Sequence, residues 1–419
     1  MRGYNPYLCK KFPMKIPDLR INDFDYNLPT GRIAQYPLED RDASKLLVWK
    51  DGKISENIFS NIGEELPPGC LLVFNDTKII RARLIFTKPT GAVVEIFCLE
   101  PLSPVTEINA AISQTGSCTW NCLIGNVKRW KEGLLEKNII HEGTLVTITA
   151  EKKENLGEGC FAIEFRWEPE MIPFSDILEY AGVVPLPPYI ERESGSIDVV
   201  RYQTIYAKNQ GSVAAPTAGL HFTNRLMEKL RGKKISFEHV TLHVGLGTFR
   251  PVTMERLADH VMHGERISVS LSTIKDLIKY KEKPVIAVGT TSVRTLESLY
   301  WMGIKMITGN HGIGGEVSQW DPYDERYNLN IPFPQALGAL VSYLDHHEIE
   351  SYEGFTRLMI VPGYKFRVIS GMITNFHIPK STLLMLVAAF TKEGWKTAYE
   401  YALVHEFRFL SYGDACLFY

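Results

Sequence analysis

The chain of 419 residues has no apolar run long enough to cross a bilayer. Its longest, Leu383 to Phe390 within "STLLMLVAAF", falls far short of the roughly 20 residues that a spanning helix needs. The N-terminal stretch "MRGYNPYLCKKFPMKIPDL" is basic but lacks an apolar h-region, so no secretory signal is expected, and Met14 competes with Met1 as the start. Net charge is only −2, which excludes a global basic field: a polyanion partner has to be held by a local patch. Internal repeats and low-complexity tracts are absent. Cysteine is sparse, with seven residues at 9, 70, 98, 118, 122, 160 and 416, and only Cys118 and Cys122 fall at a close spacing. A zinc site wants a second such pair, so the expectation is reduced thiols in a cytoplasmic protein and no metal. There is no H-E-x-x-H, and the lone G-x-G of "VGLGTF" lacks the third glycine of a dinucleotide fingerprint.

What the chain does have is an ordinary globular composition, 45% hydrophobic and 22% charged, at a length sufficient for two domains. Its character changes near residue 68, at "LPPGC". Short apolar runs follow, "CLLVF", "IIRARLIF", "AVVEIFCLE", "TWNCLIG", "TLVTITA" and "CFAIEFRW", separated by Gly, Pro, Asn or charged turns. That pattern predicts a small antiparallel β-barrel over 68–169, inserted into an α/β main domain made of 1–67 and 170–419. "MIPFSDILEYAGVVPLPPYI" (171–190) reads as a returning linker with a short helix. Beyond residue 200, strands alternate with helices. In "SFEHVTLHVG" (236–245) Val240, Leu242 and Val244 share one face while His239, Thr241 and His243 share the other. "KPVIAVG" is a buried-type strand, and the helix after it places Val293, Leu296, Leu299 and Tyr300 on one face.

Four stretches carry candidate chemistry. In "SVAAPTAGLHFT" (212–223) small residues, including Pro216, Thr217, Ala218 and Gly219, let a ligand approach the backbone closely. Thr223 is a helix N-cap, Phe222 and Met227 occupy the hydrophobic-staple positions, and Gly232 supplies the stop. His221 then sits at a helix mouth, where the macrodipole opposes protonation; it is either a neutral base or ligand contact, or a side chain that ties down a loop. In "VGTTSVRTLES" (288–298) a strand, a glycine and a helix start offer free N–H groups with Thr290, Thr291, Ser292 and Arg294. "HVGLGTFRP" with "DHVMHGE" brings His239, His243, Gly245, Gly247, Thr248 and Arg250 together with His260, His263 and Glu265, as polar substrate contacts rather than a metal set. "ITNFHIPKSTLL" and "RFLSYGDA" supply Asn375, His377, Lys380 and Asp414, with Pro379 holding His377 and Ile378 extended and Ser381 capping a helix.

Taken with "FDYNLPTGRIAQYPLEDRDASKLLV", "LLVFNDTKIIRARL", "YQTIYAKNQGSVAAPTAGLHFT" and "VPGYKF", these strings closely resemble one family, the S-adenosylmethionine:tRNA ribosyltransferase-isomerases of queuosine biosynthesis. The likeness runs from residue 24 to 417. It implies an α/β domain with an inserted barrel. It also implies a reaction in which the ribose of S-adenosylmethionine is transferred and isomerised onto 7-aminomethyl-7-deazaguanine at the tRNA wobble position. Epoxyqueuosine in tRNA, adenine and methionine result. S-adenosylmethionine would be a consumed co-substrate, with no other cofactor, in a cytoplasmic enzyme expected to be monomeric. Two features depart from the pattern: Gly264 stands where a serine is expected, and residues 307–350 have no assigned role.

That chemistry makes demands. The sulfonium acidifies the adjacent ribose carbon, so a base is needed, with His221 or His243 as candidates and Glu265 or Asp414 as alternatives or charge partners. The methionine carboxylate wants N–H groups or a cation, from "GTTS" with Arg294 or Arg250. The anticodon loop of tRNA has to be gripped through phosphates, for which Lys78, Arg81, Arg83 and Lys88, with Lys128 and Arg129 of "VKRWK", form the basic surface. A conventional methyltransferase predicts a glycine-rich loop after an early strand, and that loop is missing. A tRNA-binding protein without catalysis leaves the loop histidines unexplained.

Overall fold

The computed structural model describes residues 15–157, 159–245, 254–310, 315–327 and 330–419. Two sheets organise them. The larger has ten strands in the spatial order Glu316–Val317, Ser351–Thr356, Glu265–Ser270, Ser236–Leu242, Leu71–Asn75, Val285–Val288, Gly371–Asn375, Ala415–Phe418, Lys45–Lys50 and Lys53–Ile58. Its centre is parallel: Leu71–Asn75 pairs in parallel with both Ser236–Leu242 and Val285–Val288, and the latter with Gly371–Asn375. All four strands therefore end on one side of the sheet. Both sheet faces are covered, which is why Leu71–Asn75 and Val285–Val288 are buried at every position instead of alternating.

The smaller sheet is antiparallel and seven-stranded, in the order Gly182–Val183, Arg83–Thr87, Val93–Ser103, Ser117–Gly125, Cys160–Glu168, Thr144–Gly157 and Leu135–His141. It curls until Leu135–His141 approaches Arg83–Thr87. There Lys137 Nζ donates to the carbonyls of Ile85 (3.0 Å) and Ala181 (2.9 Å). The chain is thus mixed α/β with a curled antiparallel sheet.

One reading of the sequence is corrected here and another extended. "CLLVF" is a central strand of the large sheet and not a barrel strand; a fully buried apolar run looks the same in either setting. The short helix expected within 171–190 is present as Phe174–Ala181, but it is more than a connection: Phe174, Ile177, Leu178 and Ala181 fill the core of the curled sheet, with Phe174 stacked on Trp167 at 5.4 Å.

The helix Thr290–Ile307 also differs from its expected one-faced pattern, since every residue from Thr290 to Ile304 is buried. Its outer side is covered by the helix Phe333–His346, which gives part of the unassigned 307–350 segment a packing role. A Cβ on Gly303 would lie 2.1 Å from Ala336 O, so only glycine lets the two helices approach this closely. Glu297, fully buried on this helix, accepts from the backbone N–H of Arg367, Val368 and Ile369 and from Tyr364 OH. The helix Asn224–Gly232 starts as read: Thr223 Oγ1 accepts from Leu226 N at 3.1 Å, and Phe222 and Met227 are both buried. Each such apolar side chain contributes about 1.5–3 kcal/mol by burial.

Candidate active site

The parallel strands deliver their carboxyl ends to one cavity, the usual position for a ligand in a sheet of this kind. Gly289 follows Val285–Val288, Phe376 and His377 follow Gly371–Asn375, and Val244 lies just beyond Ser236–Leu242. Ala214 to Ala218 make the facing wall, with Tyr189, Leu410 and Ser411. The cavity measures about 670 Å³ including its mouth, within the roughly 300–1,000 Å³ typical of small-molecule sites. Gly289 turns the chain from strand to helix at φ +90°, a conformation that favours glycine, and brings the N-terminus of Thr290–Ile307 to the cavity. The first N–H groups of a helix have no partner within it, and the macrodipole adds positive potential, so this corner suits a carboxylate.

Two polar atoms on the lining residues lack partners among the described residues: Thr291 Oγ1 and Asn375 Oδ1, both buried. An unmet buried polar group costs about 1–3 kcal/mol, a cost that a bound group able to reach it would relieve. Asn375 is oriented from behind. Its Nδ2 donates to His221 Nε2 (3.1 Å) and to Leu410 O (3.2 Å), while Oδ1 has no partner among the described residues. His221 is therefore the Nδ1–H tautomer, and donates to Ser44 Oγ at 2.8 Å.

This arrangement sets His221 behind Asn375, on the adjoining smaller cleft and not on the cavity. Both of its nitrogens are engaged, the residue is 5% exposed, and it does not line the cavity. Burial, with Arg408 and Arg41 adding repulsion, lowers its pKa to about 3. The unfolded histidine titrates near 6.5, so only the unfolded chain takes up this proton as pH falls from 6.5 toward 3. The stability that neutral His221 contributes is complete above pH 6.5 and is lost on acidification through that window. Between pH 7 and pH 5 the loss amounts to about 2 kcal/mol. Denaturant titrations at the two pH values should show wild type losing that much more stability than His221→Gln.

His377 is the histidine that does line the cavity. Its Nε2 pairs with Thr374 Oγ1 (2.9 Å), its backbone N–H donates to Tyr399 OH, and desolvation lowers its pKa to about 3. Nδ1 is the ring nitrogen left for a ligand. Thr217, Ala218, Pro216, Thr290 and Thr291 also line the cavity as expected.

Other expected residues lie elsewhere. His243 lies beside the short ladder of Thr77–Ile79 and Asn209–Ser212, with Nδ1 bonded to Thr77 Oγ1 (2.9 Å); burial and Arg266 lower its pKa to about 4. Glu265 and Arg294 form a buried ion pair with each other, and Glu265 also accepts from Gly245 N. Asp414 closes a turn by accepting from Lys45 N (3.1 Å) and Arg408 N (2.7 Å), and desolvation raises its pKa. Ser292 Oγ is turned back onto Val288 O, Lys380 pairs with Asp25 at 3.0 Å, and His263 is exposed. Gly247, Thr248 and Arg250 lie outside the described residues. Gly264 abuts Arg357, where an added Cβ would sit 3.3 Å from Nε.

Gly219 serves packing and not ligand access. A Cβ there would fall 1.9 Å from Tyr206 OH and 2.9 Å from Thr204 Cγ2. Gly219→Ala should lower unfolding free energy by about 1–3 kcal/mol, read by chemical denaturation. Lining residues given no role in the sequence analysis are Tyr189, Thr374 and Ser411 among others. Most lie within the quoted strings, but small or hydroxyl side chains there carried no distinctive chemistry.

On the curled sheet the expected basic surface divides. Arg83 is neutralised by Glu95 (2.7 Å), Arg81 reaches Glu179, and Lys78 is half-buried in the short ladder with Asn209–Ser212. Lys128 and Arg129 are exposed without a carboxylate partner among the described residues, and Lys88 Nζ donates to Arg129 O. No helix among the described residues is long and apolar enough to cross a membrane, and no group of three His, Cys, Asp or Glu is placed to hold a metal.

A family model described as "Queuosine biosynthesis protein" matches residues 21–418. The chain is 40% identical over 402 residues to the S-adenosylmethionine:tRNA ribosyltransferase-isomerase of Trichlorobacter lovleyi, covering 95% of this chain and 99% of that protein. It is 39% identical over 405 residues to the enzyme of the same name from Halothermothrix orenii, again covering 95% and 99%. A crystal structure of S-adenosylmethionine tRNA ribosyltransferase from Thermotoga maritima is 30% identical, covers 94% of this chain and 99% of its own, and superposes with a TM-score of 0.45. With a match that spans both sheets and every wall of the cavity, the chain belongs to the queuosine biosynthesis family of S-adenosylmethionine:tRNA ribosyltransferase-isomerases.

Proposed function

We propose that the protein transfers and isomerises the ribosyl moiety of S-adenosylmethionine onto 7-aminomethyl-7-deazaguanine at the wobble position of tRNA, with adenine and methionine as the leaving products. The observation that carries this reading is full-length membership of the family, joined to a cavity whose Thr291 Oγ1 and Asn375 Oδ1 have no partners. In this reading S-adenosylmethionine occupies the cavity as a consumed co-substrate, and no other cofactor is required. Its methionine carboxylate lies at the N-terminus of Thr290–Ile307. Asn375 Oδ1 accepts an N–H of the bound nucleoside, held in place by His221. His377 takes the proton from the ribose carbon next to the sulfonium. Because the imidazolium it becomes is a strong acid in this desolvated site, it returns the proton readily to the departing adenine.

The curled sheet and its buried helix act as the inserted domain that meets the tRNA, and Lys128 and Arg129 grip phosphates. Substituting both with alanine should reduce the slope of log Kd for tRNA against log salt by about 1.4–1.8. An unchanged slope removes the grip from this surface. The enzyme works as a cytoplasmic monomer.

The function itself is tested by mixing protein, S-adenosylmethionine and precursor-bearing tRNA and following free adenine. Adenine should appear only when all three are present. Its absence in the complete mixture would sink the proposal.

A further inference from the structure

A second, smaller cleft adjoins the cavity across Ser411, which lines both. It measures about 290 Å³, and its polar walls are Arg41, Arg201, Arg408, His221 and Tyr412. Three half-buried guanidiniums on one cleft need a source of negative charge, and the neighbouring carboxylates are committed elsewhere. Asp42 is held by Arg225 and Thr223, and Asp198 by Arg192, Gly195 N and Tyr412. Asp414 approaches Arg408 only at 3.5 Å, with its oxygens already accepting from two backbone N–H groups.

Arg41 and Arg201 have no carboxylate partner among the described residues and are anchored by carbonyls alone. Arg41 donates to Gln203 O (2.7 Å) and Val200 O (2.8 Å), while Arg201 donates to Glu39 O (3.0 Å) and Leu38 O. Arg201 Nε is buried with no partner. The repulsion is visible in the groups themselves: burial and then Arg201 lower the pKa of Arg41, and Arg408 and Arg41 help to keep His221 neutral. Converging cations of this kind are costly to hold in a partly desolvated cleft unless an anion joins them. Guanidinium forks are suited to phosphate and carboxylate oxygens alike.

We infer that this cleft binds a backbone phosphodiester of the tRNA, close to the nucleotide whose base enters the adjoining cavity. The inference rests on the reading of that cavity given above. A phosphodiester fits better than the methionine end of S-adenosylmethionine, because an α-amino acid carries an ammonium as well as a carboxylate. Three arginines line the cleft, and no Asp or Glu among its lining residues is there for that ammonium.

The test uses the intact enzyme and precursor-bearing anticodon stem-loops in which each loop phosphate in turn is replaced by an uncharged methylphosphonate. One position is expected to weaken binding at least tenfold. Arg41→Gln, Arg201→Gln and Arg408→Gln should each weaken binding of the unmodified RNA and shrink the penalty at that position, and the triple variant should lower the salt slope by about 0.7 in total. Affinity for S-adenosylmethionine should stay within twofold, and Arg408→Lys should keep most of the slope. Thermal melts identify any variant that fails to fold, and the methylphosphonate series on wild type then decides alone. Uniform affinity across that series overturns the inference, as does weaker S-adenosylmethionine binding with RNA binding unchanged. Wild-type adenine release with the unmodified stem-loop separates the two readings: without it the cavity assignment fails, whereas release with uniform affinities removes only the phosphate site.

Discussion

His377→Ala is expected to slow single-turnover ribosyl transfer by about 10²–10⁴-fold, the range for loss of a positioned general acid–base group. The affinity for S-adenosylmethionine should change little. The ring is the histidine on the cavity wall, oriented by Thr374 at Nε2, with its main chain tied to Tyr399 and Tyr26. Its pKa of about 3 gives the expectation a sign. The working form is neutral, so the acid limb of the rate profile should be flat down to about pH 5 and fall only as pH approaches 3. His221→Gln serves as the contrast. That residue acts through Asn375, so its loss should raise KM more than it lowers kcat. Equal, small effects of the two substitutions would remove His377 from the chemistry.

Arg294→Met should be the most destabilising of the substitutions considered, at about 3–5 kcal/mol. Arg294 and Glu265 are 6% exposed each, and removing the cation leaves a buried carboxylate whose remaining named donor is Gly245 N at 3.4 Å. The penalty comes from the orphaned charge more than from the lost attraction, so Arg294→Met combined with Glu265→Gln should recover a large part of it. Chemical denaturation of the single and double variants measures this. A double variant no more stable than Arg294→Met would show that the pair matters for packing and not for charge.

How far the sequence anticipates this site depends on how local the signal is. Thr290, Thr291, Asn375 and His377 stand out in the sequence because each lies at or just beyond the end of a buried strand, where a turn into a helix or loop concentrates polar groups. Pro216, Thr217 and Ala218 line the cavity, whereas Gly219, read from the sequence in the same way, is taken up by packing against Tyr206. His221 was placed correctly at a helix mouth, yet its role is fixed by Ser44 and Asn375, 177 and 154 positions away, and no spacing rule reaches that far. Glu265 and Asp414 had the right chemistry for a site, but each is consumed by a partner that only tertiary packing supplies.

At the level of the fold, the alternation after residue 200 indicates the parallel centre of the large sheet. "CLLVF" was indistinguishable from its successors because burial on both faces erases the two-residue period. The helix Phe174–Ala181 looked like a connector because its apolar face has no partner within its own segment. The arginine cleft left no trace either, since Arg41, Arg201 and Arg408 come from three segments far apart in the chain.

The central claim is that the ribose, and not the methyl group, of S-adenosylmethionine leaves this cavity attached to tRNA. It is tested most directly with S-adenosylmethionine labelled separately in its methyl group and in its ribose carbons, incubated with the enzyme and precursor-bearing tRNA. The ribose label should enter the tRNA in equal amount to the adenine released, while the methyl label stays with free methionine. Methyl label in the tRNA, or ribose label that remains wholly with the small molecules, would contradict it.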